Sequence, residues 1–211
     1  MSSSSSPGPT PPPPGYPDLG PEPVTEVRII AAPAVPTAVV RAAGVRMSSI
    51  AGLFDAAFGQ AFPELFARGI TPAGPPFALY TRLTEGPDAV ADVEIGFPLG
   101  ERLAAPLAAV PAHDEPGAGD APGAGDGPAG DGLRIVPSEL PAGDIAVMSH
   151  VGGYDALGEA WGRLMAGIGG SGRAPGMPFW ECYVTEPRPD MDPATLRTDL
   201  YCPTRQPDDA A

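Results

Sequence analysis

A carboxylate and a phenol stand two residues apart in the stretch Phe179–Thr185, the part of the sequence best equipped for chemistry. Its aromatic and β-branched residues, bounded by Pro178 and Pro187, predict a β-strand. Because side chains alternate between the two faces of a strand, Glu181 and Tyr183 should share one face. A buried carboxylate without a partner is energetically costly. Glu181 therefore either has a permanent partner or binds a cation that arrives from outside, unless it lies at a strand edge and points at water.

Two further residues of reactive type are predicted to be structural. Cys182 alternates to the face opposite Glu181, which argues against a catalytic thiol. His150 is predicted to bond the backbone near the Gly152-Gly153 turn, because no nucleophile stands near it in the sequence. Two histidines and two cysteines in the whole chain predict neither a zinc site nor a disulfide framework. We therefore expect no metal and no other cofactor.

The charge balance restricts the partners that the protein can bind. The chain has 12 basic and 26 acidic residues and a formal net charge of −14. A nucleic-acid surface needs a basic stripe, so no nucleic-acid partner is expected. The sequence contains no apolar run of about eighteen residues, so no membrane partner is expected either. The N-terminus lacks the features of a secretory signal, which predicts a cytoplasmic location.

The elements around the Glu181 strand occur twice, each time as two strands, a helix and two strands. In the first copy the helix has apolar residues at i, i+3 and i+4 spacing and should kink or restart at Pro63. The strands of that copy are predicted at 24–30, 37–45, 77–81 and 92–99, with the helix over 48–69. The strands of the second copy are predicted at 133–136, 145–152, 179–185 and 199–203, with a helix that contains 157–168 and ends in the glycine-rich run 169–172.

An internal duplication of this kind predicts one domain, because neither half can bury its sheet face alone. The expected fold is α+β: duplicated ββαββ halves that form one antiparallel sheet with two helices on one face and a ligand cleft between the halves. The composition predicts disorder in two segments that are rich in Pro, Gly or Ser. The predicted organisation is a disordered tail at 1–23, a domain at 24–204 made of a first half 24–107, a disordered linker 108–131 and a second half 132–204, and a short tail at 205–211.

Three features of this arrangement together resemble the GyrI-like small-molecule-binding domain, also called the AraC effector-binding domain, in its stand-alone form. They are the duplicated half, the segment His150–Leu157 that enters the second helix, and the pair of segments Trp180–Pro187 and Asp199–Pro203. The resemblance implies a cleft between the halves that binds cationic or aromatic small molecules, with the family's cation-binding glutamate at Glu181. Family members are often fused to helix-turn-helix domains, but no such segment precedes Val24, so DNA binding is not expected.

The resemblance also supplies the candidate site residues. Aligning the two central strands matches Ala78 with Glu181 and Tyr80 with Tyr183, so only one half carries the carboxylate, and we expect it to lie off the symmetry axis. In the helices, the repeat matches Phe58-Gly59 with Trp161-Gly162. A flat cation would gain roughly 0.5–2 kcal/mol from each aromatic face. The predicted ligand-binding residues are Glu181, Tyr183, Tyr80, Trp161, Tyr154 and Trp180.

Three functions stay open at this point. The first is binding of a lipophilic or cationic small molecule, for effector sensing, multidrug sensing or sequestration. The second is hydrolysis of cyclopropane-containing genotoxic compounds, which some GyrI-like proteins carry out. In that reaction Glu181 would be the catalytic base that activates water, and Tyr183 would stabilise the developing anion. The third is a protein-interaction module that uses the acidic surface and the Pro-rich tail.

Overall fold

A computed structural model of the protein describes residues 18–107, 133–188 and 190–206. Within these ranges, two predominantly helical segments lie on a nine-stranded antiparallel sheet. The strands are β1 (Arg28–Ala32), β2 (Val35–Arg46), β3 (Phe77–Leu83), β4 (Val90–Pro98), β5 (Ile135–Leu140), β6 (Gly143–Val151), β7 (Ala174–Pro175), β8 (Phe179–Tyr183) and β9 (Arg197–Arg205). The helices are α1 (Ile50–Ala56), α2 (Phe62–Ala67) and α3 (Leu157–Gly170), with 3-10 turns at Met47–Ser49, Tyr154–Ala156 and Pro193–Thr195.

The strand order confirms the predicted duplicated α+β fold. Apart from β7, which pairs with β9, the sheet runs β1-β6-β9-β8-β3-β4-β2-β5. The counterparts in the two halves are β1 and β5, β2 and β6, β3 and β8, and β4 and β9. Exchanging them gives the same strand order read from the other end, so a pseudo-twofold axis passes between β3 and β8. In that central pair Ala78 lies directly opposite Glu181. With the predicted alignment these two residues are each other's counterparts, so the single carboxylate lies off the axis, as predicted, and directly beside it.

The first strand of each half belongs to the sheet of the other half, which the sequence did not predict. β1 pairs with β6, and β5 pairs with β2. β1 and β2 lie toward opposite ends of the strand order, yet only Pro33 and Ala34 separate them. Three Cα–Cα steps span at most about 11 Å. The sheet must therefore curl until its two ends approach each other, and this curl encloses the face that carries no helix.

Alternation along the strands divides the interior into two layers. The helix-free face holds Trp180, which is 1% exposed and stacks on Tyr201 with ring centroids 5.1 Å apart. The counterpart of Tyr201 in the first half is Gly96, where a Cβ would lie 2.1 Å from the carbonyl oxygen of Ala38. Cys182 is also buried in this layer, as alternation predicted. The helix-covered face holds the remaining core, which includes Ala78, Tyr80, Ile95, Met148, Leu164, Ile168 and Leu200.

The predicted break in the first helix is confirmed. α1 continues into a π turn at Ala57–Ala61, and α2 restarts at Phe62 with Pro63 in its first turn. Proline lacks the N–H that would continue an α-helical ladder and fits the first turn of a helix, which explains the restart. A π turn inside a helix rotates the side chains that follow it about the helix axis.

The ordered chain begins before the predicted boundary at Val24. The buried guanidinium of Arg197 donates to the carbonyl oxygens of Gly20 and Pro21 at 2.8 and 3.1 Å. Leu19 packs against the helix-free core. The remaining predictions of disorder, for residues 1–17 and 108–131, lie outside the described residues, and so does the end of the C-terminal tail from residue 207.

Candidate functional site

Glu181 lies on the helix-covered face of β8, where it is buried with 6% of its surface exposed. The indole N–H of Trp161 donates to its Oε1 at 2.7 Å. The hydroxyl of Tyr183 donates to its Oε2 at 2.8 Å. Each carboxylate oxygen thus has a partner, and both partners are uncharged.

The positions of the two donors follow from their elements. Tyr183 is two residues from Glu181 on the same strand and therefore faces the same side of the sheet. Trp161 lies on α3, whose residues Ala160, Leu164 and Ile168 pack into the core. Trp161 is next to this buried stripe, so its ring is half-buried and reaches down to the sheet. Tertiary packing of α3 on β8 brings the indole to the carboxylate.

Further aromatic rings surround this pair. Phe54 of α1 and Tyr154 of the 3-10 turn before α3 meet the ring of Tyr183 edge to face, with centroids 5.5 and 5.9 Å away. Phe179 meets the ring of Trp161 at 4.7 Å and stacks on Tyr80 at 5.2 Å. We call the set Phe54, Tyr80, Tyr154, Trp161, Phe179, Glu181 and Tyr183 the aromatic cluster.

The aromatic cluster is a mixture of buried and accessible side chains. Tyr80 and Glu181 are buried at its base, while Tyr154 is 43% exposed at its rim. The rings of Phe54, Trp161, Phe179 and Tyr183 are half-buried. The cluster lies over the central strand pair β3 and β8, with α1 on one side and α3 on the other.

Burial dominates the electrostatics of the cluster. Desolvation raises the pKa of Glu181 above its ordinary value, and the hydrogen bonds from Trp161 and Tyr183 and the nearby His150 partly offset this rise. Burial and then the charge of Glu181 raise the pKa values of Tyr80 and Tyr154. The same two causes raise the pKa of Tyr183 well above its ordinary value, so its phenol keeps its proton and remains a donor.

A polar row lies beside Tyr183 on the same face of the sheet. Tyr183 pairs with Thr198 across β8 and β9, and Thr198 pairs with His150 across β9 and β6. The Nε2 of His150 lies 3.0 Å from the carbonyl oxygen of Gly153, so the predicted bond to the turn is confirmed and Nε2 carries a proton. The hydroxyl oxygen of Thr198 is buried and has no hydrogen-bond partner among the described residues.

The structure brings together five of the six predicted ligand-binding residues: Tyr80, Tyr154, Trp161, Glu181 and Tyr183. It does not bring Trp180 to them, because alternation places that side chain on the helix-free face. The sequence analysis did not select Phe54, Phe179 or Thr198. Phe179 and Thr198 share the face of Glu181 by alternation or by pairing, so the strand pattern contained a signal for both. Phe54 belongs to the apolar i, i+3 and i+4 pattern of the first helix, which gave no sign that this ring contacts Tyr183.

Neither a metal-binding cluster nor a membrane-spanning helix is found in the described part of the chain. Within residues 18–107, 133–188 and 190–206, no three His, Cys, Asp or Glu side chains are arranged to hold a metal ion. No helix in these ranges is long and apolar enough to cross a membrane.

Comparison with a known domain family agrees with this architecture. The sequence matches the GyrI-like small-molecule-binding domain over residues 25–205, which is most of the chain. The chain belongs to the GyrI-like family. The helix-covered cluster between its two halves is therefore part of a small-molecule-binding domain. A comparison with curated proteins gives no significant match.

Solved structures with the same fold have little sequence in common with this chain. The C-terminal domain of EcmrR has a TM-score of 0.58 and 17% identity, over 86% of this chain and 98% of that domain. EcmrR in its complex with DNA has a TM-score of 0.59 and 19% identity, over 86% of this chain and 57% of the EcmrR chain. SAV2435 bound to tetraphenylphosphonium has a TM-score of 0.52 and 11% identity, over 86% and 94% of the two chains. At these identities the likeness shows the fold alone.

Proposed function

We propose that this GyrI-like domain binds lipophilic aromatic cations in the aromatic cluster, with Glu181 as the charged partner. One observation carries the proposal. Three carboxylates are buried in the described residues, and the other two have permanent cationic partners: Glu94 with Arg41 at 2.6 Å and Asp199 with Arg197 at 2.8 Å. Glu181 has only the two neutral donors.

The energetic consequence favours a cation from outside. A buried carboxylate loses its hydration, and hydrogen bonds from neutral groups replace only part of it. The raised pKa of Glu181 expresses this remaining penalty. A bound cation would remove the penalty by direct charge compensation. Because both carboxylate oxygens already accept hydrogen bonds, the site favours a cation that binds through charge and ring contact, such as a quaternary or delocalised aromatic ion.

The rings around Glu181 suit such a ligand. Tyr154 and the half-buried Phe54, Trp161 and Tyr183 offer accessible faces or edges above the carboxylate. Each aromatic face adds roughly 0.5–2 kcal/mol of attraction for a cation. The net charge of −14 adds a long-range attraction for cations. The fold neighbour SAV2435 was solved with tetraphenylphosphonium, a cation of this class.

The test is a comparison of two isosteric ligands on two proteins. We would titrate the wild type and Glu181→Gln with 1-ethylquinolinium and with its neutral isostere 1-ethylnaphthalene. Loss of a closely paired charge should weaken cation binding by about 1.5–3 kcal/mol, or roughly ten- to a hundredfold in Kd. The neutral ligand should lose much less, because ring contact and not charge holds it.

The readout can locate the ligand as well as measure it. The chain has only two tryptophans, so a 1H–15N spectrum contains two indole signals. The cation should shift the indole signal of Trp161 and leave that of Trp180, on the opposite face, unchanged. Equal losses for both ligands in Glu181→Gln would mean that the substitution merely disturbs packing. No loss for either would place Glu181 outside the site.

A second function rests on the hydrogen bond between Tyr183 and Glu181. A carboxylate next to a phenol that keeps its proton can activate water and protonate a carbanion-like leaving group. In a strained cyclopropane the water oxygen would bond to one ring carbon, the ring bond would break, and the other carbon would take a proton. Incubation with a cyclopropane-bearing alkylator and mass spectrometry would detect addition of one water. Glu181→Gln should then bind the substrate but convert it far more slowly.

We propose no direct nucleic-acid contact by this domain. The net charge of −14 opposes approach to phosphates, and neutral or acidic surfaces do not release counterions from DNA. A gel-shift assay at low salt should show only free DNA and no retarded band. Tight, salt-sensitive binding would contradict this part of the proposal.

A further inference from the structure

A pocket lies beside the aromatic cluster, and Phe179 belongs to both. Its volume is about 390 Å³. It lies between the C-terminal half of α3, the segment around β7 and the end of β9. The lining residues are Met165, Pro175, Gly176, Met177, Phe179 and Arg205. Phe179 also contacts Trp161 and Tyr80, so it is the residue that this pocket shares with the aromatic cluster.

The lining has a chemistry opposite to that of the aromatic cluster. Arg205 is its one charged residue, and none of the lining residues is acidic. Other arginines of the described chain, such as Arg173 and Arg197, pair with carboxylates. Arg205 makes no such ion pair with any described residue; its one hydrogen bond there is a long contact of 3.4 Å from Nη2 to the carbonyl oxygen of Pro175. Within the described residues, no carboxylate is paired with its guanidinium, which an anion can therefore approach.

The apolar walls indicate the body of the ligand. Met165 and Met177 are flexible and polarisable, and methionine sulfur makes favourable contacts with aromatic rings. Met177 is 48% exposed, so a ligand can reach the pocket from solvent. Pockets of a few hundred cubic ångströms hold small organic molecules. A guanidinium binds a planar carboxylate through two parallel hydrogen bonds.

We propose that this pocket binds small aromatic carboxylates, with the ring between the two methionines and Phe179 and the carboxylate on Arg205. The long-range field of the protein repels anions, since its net charge is −14. Binding of an anion must therefore come from the local guanidinium, which makes Arg205 decisive. The site is separate from the cation site, so the domain holds one binding position for each sign of charge, with Phe179 common to both.

The experiment uses methionine methyl groups as local probes. The full-length protein has six methionines, and Met47 and Met191 lie away from this pocket. In protein labelled with [methyl-13C]methionine, 2-naphthoate at neutral pH should shift the methyl signals of Met165 and Met177. The signals of Met47 and Met191 should stay in place. The isosteric neutral 2-naphthamide should bind more weakly. Saturation with 1-ethylquinolinium should leave the naphthoate Kd unchanged.

The variant Arg205→Gln removes the charge from an exposed side chain at the end of β9, whose one hydrogen bond to a described residue is a long contact of 3.4 Å. Naphthoate binding should weaken about tenfold, while naphthamide binding should stay the same. Equal affinities for acid and amide, an Arg205→Gln variant that binds naphthoate normally, or displacement of naphthoate by 1-ethylquinolinium would each overturn the proposal. Shifts confined to methionines outside the pocket would overturn it as well.

Discussion

The two halves of the domain have the same framework and different chemistry. In the first half, Ala78 pairs with Ile95 and Ile95 with Val40. The corresponding row in the second half is Glu181, Leu200 and Met148. One apolar-to-acidic difference at the centre of the sheet therefore turns a core row into a candidate binding site, while the neighbouring positions stay apolar and keep the sheet packed.

The next row shows the same contrast. Tyr80 pairs with Val93 and Val93 with Ala42 in the first half. In the second half the row is Tyr183, Thr198 and His150. The two tyrosines are equivalent, and the hydroxyl of Tyr183 donates to the carboxylate of its own half. Polar groups have thus accumulated in one half, and the other half supplies aromatic and aliphatic walls.

The helices differ in the same sense. Trp161 is seven residues beyond Tyr154, the start of the 3-10 turn before α3, and Phe54 is seven residues beyond Met47, the start of the turn before α1. This count pairs Trp161 with Phe54, and not with Phe58 as the sequence repeat indicated. The second half has an indole N–H where the first has a plain ring. The duplication accounts for the shared fold of the two halves, and the side-chain differences between them account for the candidate site.

Moving the acid across the axis should have the largest effect on cation binding. In the double variant Glu181→Ala, Ala78→Glu the carboxylate faces Phe54, which offers no N–H donor. We expect it to be protonated and cation binding to fall by about 2–3 kcal/mol, as if the acid were absent. Titration with 1-ethylquinolinium measures the loss. Adding Phe54→Trp should recover part of it; full binding by the double variant alone would show that the donors are unimportant.

The role of the indole can be isolated with Trp161→Phe, which copies the first half. Loss of one hydrogen bond to a carboxylate should weaken 1-ethylquinolinium binding by about 1.5 kcal/mol. It should also raise the pKa of Glu181 further, so binding should weaken more at acidic than at neutral pH. Calorimetric titration across pH would show this, with 1-ethylnaphthalene as the control ligand. A loss that is independent of pH would indicate only lost ring contact.

Stability should depend on pH through the same carboxyl group. Burial raises the folded-state pKa of Glu181 above its ordinary value of 4.5. The folded state then binds this proton more tightly than the unfolded state, so the stabilisation from the proton is complete at low pH and is lost as pH rises through the folded pKa. Glu181→Gln does not titrate there. Urea unfolding should therefore show that the free energy of unfolding of the variant rises relative to that of the wild type as the pH increases. The total change should be about 1.4 kcal/mol for each unit by which the folded-state pKa is raised.

The smallest expected effect concerns Thr198, whose counterpart is Val93. Thr198→Val removes a buried hydroxyl that has no partner among the described residues. The free energy of unfolding should stay the same or rise by up to about 1 kcal/mol, since burial of an unpaired hydroxyl is unfavourable. Urea unfolding measures this directly. A marked loss of stability would show that the hydroxyl has a partner in solution.

Strand alternation and the internal repeat predict much of the fold and of the candidate site from the sequence alone. Alternation along β8 placed Glu181 and Tyr183 on one face and Cys182 on the other, because the period of a strand is two residues whatever surrounds it. The same rule separates Trp180 from Glu181, although both were predicted to bind the ligand. The repeat also matched β2 with β6 and β4 with β9 in the register that the ladders show.

Long-range packing decided the rest. In the sequence, Val27–Ile30 resembles Leu133–Val136, which matches Arg28 with Arg134. The ladders instead make Arg28 equivalent to Val136, since Arg28 pairs with Val147 and Val136 with Val39. The exchange of β1 and β5 between the halves depends on the curl of the whole sheet, which no local pattern encodes. The bond from Trp161 to Glu181 depends on how α3 lies on β8, because the two residues belong to different elements. Strand alternation in the sequence therefore predicts which side chains share a face, whereas the neutral partners of the buried Glu181 carboxylate follow from the packing of α3 on the sheet.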